Sequence, residues 1–293
     1  MWQAIEQEIT AATGVPFRVR DSAAIGGGCI NDAVRLQGEN RTFFVKINRA
    51  ERLSMFEAEA AGLAAIRGTR TVRAPEPVAW GIDGQRCWLA LEFIGLTTGR
   101  DDTEARLGEQ LAAMHRTGSD RFGWERDNTI GSTPQPNPWT ANWSQFLGEQ
   151  RLGFQLALAR DNGATRRLVD RGELLVAKLP AFFSDYRPVP SLLHGDLWGG
   201  NWSADDDGRP VLFDPAVYFG DREADLAMTE LFGGFGERFY QAYDATWPLD
   251  DGYPTRRVLY NLYHVLNHFN LFGGGYEAQA QRMVERLLSE TGR

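Results

Sequence analysis

The pattern of hydrophobic and polar residues changes once along the chain. Up to residue 93, short apolar runs bounded by turn residues predict five strands, at 17–24, 32–37, 42–47, 77–82 and 87–93. Two other runs have helical spacing, 1–13 and 54–66, and the second begins with Ser54 followed three residues later by Glu57, as in a capping box. This part therefore predicts a small antiparallel sheet with a helix.

Helical spacing dominates the rest of the chain. The predicted helices are 103–116, 139–160, 165–179, 222–231, 236–246, 254–271 and 277–291. The proline-rich stretch 132–138 predicts a loop between two of them. The pattern indicates an α+β protein of two lobes, an N-terminal lobe at 1–94 and a mainly helical C-terminal lobe at 95–293, with a hinge near 92–96.

Composition and charge exclude several classes of partner. The 293 residues are 43% hydrophobic and 24% charged, as in ordinary soluble domains, and the net charge is −8. An acidic chain without a basic face is a poor match for nucleic acid or for an anionic membrane. The N-terminus has no basic and apolar leader, and no run approaches the length of a membrane span, so we expect a cytoplasmic protein.

The most specific motif is the stretch 193–201. His194, Asp196 and Asn201 match the H-x-D-x-x-x-x-N catalytic loop of kinases, in which the Asp accepts the proton of the substrate hydroxyl and the Asn holds a metal ion. Asp214 follows the short apolar strand 211–213, where the second metal-binding Asp is expected. Carboxylate and amide oxygens suit Mg²⁺. The motif predicts phosphoryl transfer from ATP to a hydroxyl.

The N-terminal part supplies candidate residues for a nucleotide site. Gly26, Gly27 and Gly28 lie between two predicted strands, where glycine lets backbone N–H groups approach phosphate; the loop has neither a Walker A nor a Rossmann pattern. Lys46, on the third predicted strand, is the only lysine among the first 177 residues and fits the lysine that contacts the α- and β-phosphates.

Two further features complete the predicted nucleotide site. Glu57 and Glu59 lie on different faces of the helix 54–66, so at most one of them can pair with Lys46, and we favour Glu59. Glu92, Phe93 and Ile94 end the fifth predicted strand, where the backbone of a hinge could hydrogen-bond adenine.

Taken together, these motifs make the chain similar to the fructosamine kinase (ketosamine 3-kinase) family, within the aminoglycoside-phosphotransferase-like branch of the protein-kinase fold. The resemblance covers nearly the whole chain and is carried by 26–31, 44–48, 55–63, 192–201, 213–235 and 260–276. It implies a two-lobed protein-kinase-like fold, ATP and Mg²⁺ as cofactors, and phosphorylation of the sugar 3-hydroxyl of a free or protein-bound ketosamine. Phosphorylation makes such an adduct labile, so the implied role is deglycation.

Several residues have predicted supporting roles. Trp198 either stacks on the sugar or belongs to the core. Asp225 is expected to brace the catalytic loop that contains His194. His264 and His268 are one helical turn apart, a spacing that could bind zinc, but no third ligand or H-E-x-x-H pattern accompanies them. They either line the substrate cleft or pack in the core.

Cys29 carries a redox hypothesis. A thiol in an anion-binding loop tends towards thiolate, so its oxidation could link two protomers and distort the loop; the alternative is an inert turn residue. We therefore expect a monomer or a redox-linked homodimer. Two other functions stay open from the residues alone: a kinase for another small hydroxylated substrate (an aminoglycoside, choline or a thioribose), and a catalytically dead nucleotide-binding module.

Overall fold

The computed structural model describes residues 1–26, 31–100 and 102–291. In chain order its helices are α1 Trp2–Thr13, α2 Leu53–Thr69, α3 Thr103–His115, α4 Trp143–Phe146, α5 Phe154–Asp161, α6 Arg166–Ala177, α7 Glu223–Leu231, α8 Glu237–Thr246, α9 Tyr253–Phe272 and α10 Tyr276–Glu290. Its strands are β1 Asp21–Ile25, β2 Asp32–Gln37, β3 Thr42–Arg49, β4 Pro77–Asp83, β5 Arg86–Glu92, β6 Leu96–Thr97, β7 Asn128–Ile130, β8 Thr133–Gln135, β9 Ser191–Leu193, β10 Trp202–Asp205, β11 Pro210–Leu212 and β12 Tyr218–Gly220.

The chain forms two compact units. The first comprises Met1–Thr103 together with Trp202–Pro215, and the second comprises Glu104–Asn201 together with the chain from Ala216 onward. The assignment of nucleotide binding to 1–94 and of catalysis and substrate binding to 95–293 stays a prediction.

The first unit is built on a five-stranded antiparallel sheet in the order β1-β2-β3-β5-β4. Helix α1 packs on the sheet through Ile5 and Ile9, which are fully buried with Phe43 and Val45 of β3. A second, smaller sheet in the order β11-β10-β6 completes the unit. The predicted N-terminal antiparallel sheet with an accompanying helix is confirmed.

The second unit is mainly helical, as predicted. Helix α9 runs through its middle, and residues on every face of this helix are buried, so it forms the centre of the core rather than an amphipathic cover. Helices α5, α7 and α10 pack against it. No helix among the described residues has the length and apolar character that crossing a bilayer requires.

Several predicted boundaries differ from the structure, and the three largest differences each have a local reason. The first strand begins at Asp21 instead of residue 17. The Phe17 amide donates to the Thr10 side chain at 3.0 Å and the Val19 amide donates to the Glu6 side chain at 2.8 Å, so neither amide can donate to a neighbouring strand.

The predicted helix 139–160 begins later and is interrupted. Its first residue is Trp143, because Asn142 caps it by accepting the amide of Gln145 at 3.0 Å. A π-helical segment, Leu147–Gly153, then separates α4 from α5. Part of the predicted loop 132–138 is the strand β8, which forms a hairpin with β7; a two-stranded ribbon consists only of edges and tolerates Pro134.

Candidate active site

Asp196 and Asn201 meet in the loop that follows β9 in the second unit. The Nδ2 amide of Asn201 donates to the backbone oxygen of Asp196 at 2.8 Å and lies 3.3 Å from its Oδ2 atom. Two main-chain bonds tighten the loop, from the Trp198 amide to the Asp196 carbonyl (3.2 Å) and from the Asn201 amide to the Trp198 carbonyl (2.9 Å). The predicted base and the predicted metal-binding amide are therefore held on one short turn.

Asp225 fastens this loop from within the core. Its carboxylate accepts the backbone amides of His194 at 2.7 Å and Gly195 at 2.8 Å, and it is only 1% exposed. Burial alone would raise the pKa of Asp225, but the interaction with His115 and the hydrogen bond from the Gly195 amide lower the pKa below its ordinary value. The carboxylate therefore stays ionised and holds the two residues that precede Asp196.

His115 is a supporting residue that the sequence analysis missed. Its Nε2 atom lies 3.1 Å from the Asp225 carboxylate, and its Nδ1 atom lies 2.9 Å from the hydroxyl of Tyr243. Because 110 residues separate His115 from Asp225, no local pattern relates them. The sequence offered one indication of this role: His115 is a polar residue at the end of the apolar face of α3.

His194 itself is fully buried, and its ring supports the turn. The Nδ1 atom accepts the Asp196 amide at 3.3 Å, and its carbonyl accepts the Ala216 amide at 2.8 Å. An accepting Nδ1 atom requires the proton on Nε2 when the ring is neutral. His194 thus acts on the main chain around Asp196.

Lys46 lies at the middle of β3 in the first unit and contacts two carboxylates. Its Nζ atom is 2.6 Å from Glu59 Oε1 and 2.5 Å from Asp214 Oδ1. Glu59, rather than Glu57, thus pairs with Lys46, since Glu59 lies on the face of α2 turned towards the sheet. A lysine, a glutamate and an aspartate in this order form the charged centre of the first unit.

Burial and charge pairing together set the pKa values of Lys46 and Glu59. Burial by itself would lower the pKa of Lys46, but Asp214 and Glu59 more than offset this, so its pKa lies above the ordinary value. Burial and the charge of Asp214 raise the pKa of Glu59, against the effect of Lys46. Lys46 is therefore protonated at neutral pH, as its predicted role as a phosphate ligand requires.

Among the described residues, Asp214 is one of two non-glycine residues with a left-handed backbone; the other is Arg70. The φ of Asp214 is 56°, in the left-handed region that non-glycine residues other than Asn and Asp seldom adopt. The side chain is half exposed, at 50%. A carboxylate, as in Asp214, and a side-chain amide oxygen, as in Asn201, are ligand types that an oxygen-seeking divalent cation prefers.

The predicted hinge residue Glu92 is held by an arginine. Its carboxylate accepts from Arg73 at 2.8 Å, and Arg73 also contacts Asp205 at the end of β10. This cluster ties β5 to the small second sheet of the first unit. The predicted contacts of Glu92, Phe93 and Ile94 with adenine stay predictions.

The described residues include the first glycine of the predicted glycine loop. Gly26 directly follows β1, and a Cβ atom there would have no neighbour within 4 Å. Gly27, Gly28 and Cys29 lie outside the described residues, as does the redox hypothesis.

Trp198 is 42% exposed and lies over Gly200, where a Cβ atom would come within 2.3 Å of its ring. It is therefore not a core tryptophan, and stacking on a sugar stays its predicted role. The two histidines of α9 differ. His264 is 5% exposed, and its Nδ1 atom has no hydrogen-bond partner among the residues that the structure describes. His268 contacts the rings of Phe232 and Tyr276, with ring centres 4.7 and 5.2 Å apart. Burial, and then His268, lower the pKa of His264 to about 3, so it is neutral.

The fold belongs to the protein-kinase-like phosphotransferases. A solved structure of a thermostable mutant of the aminoglycoside phosphotransferase APH(4)-Ia, in its apo form, superposes with a TM-score of 0.61 over 97% of this chain and 98% of that chain. At 15% identity this likeness shows the fold alone. The predicted α+β, protein-kinase-like fold class is confirmed.

Within that class, the chain belongs to the fructosamine kinase family, whose model matches residues 1–290. It is 49% identical over 288 residues to the Synechocystis protein named probable ketoamine kinase slr1563, covering 98% of this chain and 97% of that one. It is 45% identical over 278 residues to the chloroplastic protein-ribulosamine 3-kinase of Arabidopsis thaliana, covering 94% and 85%. A crystal structure from Haemophilus somnus 129PT, described as a candidate fructosamine-3-kinase, superposes with a TM-score of 0.90 at 31% identity and covers 98% of each chain. The resemblance seen in the motifs is confirmed.

Proposed function

We propose that this protein is an ATP-dependent kinase that phosphorylates a sugar hydroxyl, at the 3-position, of ketosamines such as fructosamines and ribulosamines. The observation that carries the substrate class is the family match over residues 1–290. The names of the two relatives, ketoamine kinase and ribulosamine 3-kinase, support it. The alternatives are a kinase for an aminoglycoside, choline or a thioribose. The aminoglycoside alternative rests only on a likeness of fold at 15% identity.

The geometry supports a division of labour for phosphoryl transfer. Asp196 orients the attacking hydroxyl and accepts its proton, while the Asn201 amide and the brace from Asp225 hold that carboxylate in one place. Lys46, held by Glu59, binds the phosphates of ATP. Asn201 and Asp214 would hold Mg²⁺, which supplies positive charge to the transferring phosphoryl group.

An intact set of these residues speaks against a catalytically dead module. A protein that binds nucleotide without turnover does not need the Asp196 carboxylate with the Asn201 amide beside it. Nor does it need the buried Asp225 carboxylate that holds the loop before Asp196. The biological consequence of the proposed activity is deglycation, because the phosphorylated adduct is labile and releases the amine. The cytoplasmic location and a monomer or redox-linked homodimer stay predictions.

The direct test is ADP formation from ATP and Mg²⁺ with ribosylated and fructosylated lysine, using unmodified lysine as the control. We expect turnover only with the adducts, and a phosphorylated product that decays to free lysine. Turnover with neither adduct, but with choline or an aminoglycoside, would refute the ketosamine assignment.

The assigned base has its own test in Asp196→Asn. This variant keeps the shape of the side chain and removes its basicity, so kcat should fall by about 100- to 10,000-fold. The affinity for an ATP analogue, measured by calorimetry, should stay within about 2-fold, since the group acts on the acceptor. Unchanged turnover would remove Asp196 from the role of base.

A further inference from the structure

Three polar side chains of the second unit, two of them buried and Asn128 half-buried, form a continuous relay next to the catalytic loop. The hydroxyl of Tyr263, on α9, donates to Gln135 Oε1 at 2.6 Å. The Nε2 amide of Gln135, at the end of β8, donates to Asn128 Oδ1 at 2.8 Å. Gln135 is 1% exposed and Tyr263 is 4% exposed, so these bonds are made away from water. A buried relay with its polar atoms paired specifies one arrangement of its members.

The relay grips the main chain just after the predicted metal ligand Asp214. Gln135 Nε2 also donates to the carbonyl of Ala216 at 3.1 Å, and Asn128 Nδ2 donates to the carbonyl of Val217 at 2.8 Å. Two consecutive carbonyls are therefore held by side-chain amides before the strand β12 begins. Their positions depend on the orientation of the two amides.

Ala216 in turn contacts the catalytic loop at the two residues before Asp196. Its amide donates to the His194 carbonyl at 2.8 Å. Its carbonyl oxygen faces Gly195, where a Cβ atom would lie only 2.0 Å away. A shift of Ala216 by a few tenths of an ångström would therefore be felt at His194 and Gly195, the two residues before Asp196.

The relay is anchored at its far end by a buried cation. Asn137 Nδ2 donates to Asn128 Oδ1 at 3.0 Å, and Arg151 Nη2 donates to Asn137 Oδ1 at 2.6 Å. Arg151 is 1% exposed, lies in the π-helical segment, and has its guanidinium 4.1 Å from the ring centre of Tyr218. The asparagines are thus fixed in orientation by a group that can only donate.

We propose that Gln135 and Tyr263 are positioning residues for phosphoryl transfer: together with Asn128 they set the main chain of Ala216 and, through it, the placement of Asp196. The inference rests on the proposed function, in which Asp196 is the base. Neither residue needs to touch a substrate. Their effect is on the geometry of the reacting carboxylate, so their loss should lower kcat more than it changes binding.

The first test removes one hydroxyl from the relay and compares it with a matched control. Tyr263→Phe leaves Gln135 Oε1 without its donor, whereas Tyr240→Phe removes a hydroxyl that bonds Thr229 at 3.1 Å, outside the relay. We expect kcat to fall about 10-fold in Tyr263→Phe, because small misplacements of reacting groups are costly, and the KM values for ATP and ketosamine to stay within about 2-fold. Tyr240→Phe should keep the wild-type kcat.

The second test reverses the polarity of the amide that grips Ala216. Gln135→Glu keeps an acceptor for Tyr263 but turns an oxygen towards the Ala216 carbonyl. Protonation of the buried carboxyl, whose pKa burial raises, restores one donor. The ratio of variant to wild-type kcat should therefore rise as the pH falls from about 8 to about 6, a response that a loss of packing would not give.

A third measurement is independent of turnover. Hydrogen–deuterium exchange of the peptide that contains residues 193–198 should be faster in Tyr263→Phe and Gln135→Glu than in the wild type, and unchanged in Tyr240→Phe. Wild-type levels of both exchange and kcat in Tyr263→Phe would overturn the inference. If the wild type turns over no ketosamine, the proposed function fails, and the exchange experiment still decides whether the relay positions the loop.

Discussion

Gly195 lies against the carbonyl oxygen of Ala216 so closely that any side chain at position 195 would collide with it. The hypothetical Cβ atom would be 2.0 Å from that oxygen, and the φ of Gly195 is 84°, in the left-handed region that favours glycine. The same residue donates its amide to Asp225 at 2.8 Å. Glycine is therefore required at position 195 for two independent reasons, the left-handed φ and the close approach of the Ala216 carbonyl.

Gly195→Ala should be severely destabilising. The clash is with backbone, which cannot rotate away, so we expect the free energy of unfolding to fall by about 3 kcal/mol or more and activity to be lost. Urea denaturation measures the first effect, and ADP formation the second.

Gly163→Ala is the matched control for that substitution. Gly163 has a nearly identical φ, 85°, but a Cβ atom there would have nothing within 4 Å. It should cost only about 1 kcal/mol, the price of the left-handed conformation. Equal losses in the two variants would show that conformation, and not contact with Ala216, sets the requirement.

Asp225→Asn should loosen the catalytic loop. An amide can accept only through one oxygen, so its nitrogen would face one of the two backbone N–H donors, and His115 would lose its anionic partner. We expect a loss of about 3 to 5 kcal/mol in the free energy of unfolding, as for other broken buried charge pairs. Asp244→Asn, an exposed acceptor for the Leu249 amide, is the control and should lose less than about 1 kcal/mol.

Glu59→Gln should weaken the use of ATP, and Glu57→Gln should not. Glu57 and Glu59 both lie on α2, but of these two glutamates it is Glu59 that contacts Lys46, at 2.6 Å. Loss of the partner carboxylate should lower kcat/KM for ATP by about 10-fold, close to 1.4 kcal/mol of transition-state stabilisation. Steady-state kinetics at saturating ketosamine decide it, and equal effects of the two variants would contradict the pairing.

Asp214→Asn should alter the metal requirement while leaving the fold intact. Asparagine tolerates the left-handed backbone of Asp214, so the chain should still fold. Lys46 loses one of its two carboxylate partners, so the free energy of unfolding should fall. A neutral ligand binds Mg²⁺ more weakly, so half-maximal turnover should require about 10-fold more Mg²⁺, and EDTA should abolish turnover of the wild type. A wild-type Mg²⁺ titration in the variant would argue against Asp214 as a metal ligand.

Asp205 should make stability depend on acid pH. Burial favours its neutral form, but the amide and guanidinium of Arg209 and the guanidinium of Arg73 lower the pKa of Asp205 to about 2. Its contribution is therefore present above the ordinary pKa and is lost as the pH falls through about 2. Asp205→Asn should be less stable than the wild type by about 2 kcal/mol near neutral pH. That difference should shrink as the pH falls from about 4 to about 2, and a constant difference in urea denaturation would refute the linkage.

The order of elements and the catalytic motifs could be predicted because both are local properties. Apolar spacing indicated the five strands of the main sheet and nearly every helix, but not most strands of the smaller sheets. The spacing of Asp196, Asn201 and Asp214 indicated phosphoryl transfer. Errors arose where a side chain took over a backbone bond. Glu6 and Thr10 removed residues 17–20 from the first strand, and Asn142 delayed the start of a helix.

The sequence by itself determined the fold class and the family, since periodicity and motif spacing are written in neighbouring positions, and it supplied the candidate residues for phosphoryl transfer. Only the tertiary structure decided which groups hold those residues in place. The pairing of His115 with Asp225 spans 110 residues and that of Gln135 with Tyr263 spans 128. Such contacts follow from the packing of buried polar groups, each of which must find a partner once it is removed from water, and local pattern carries no record of that choice.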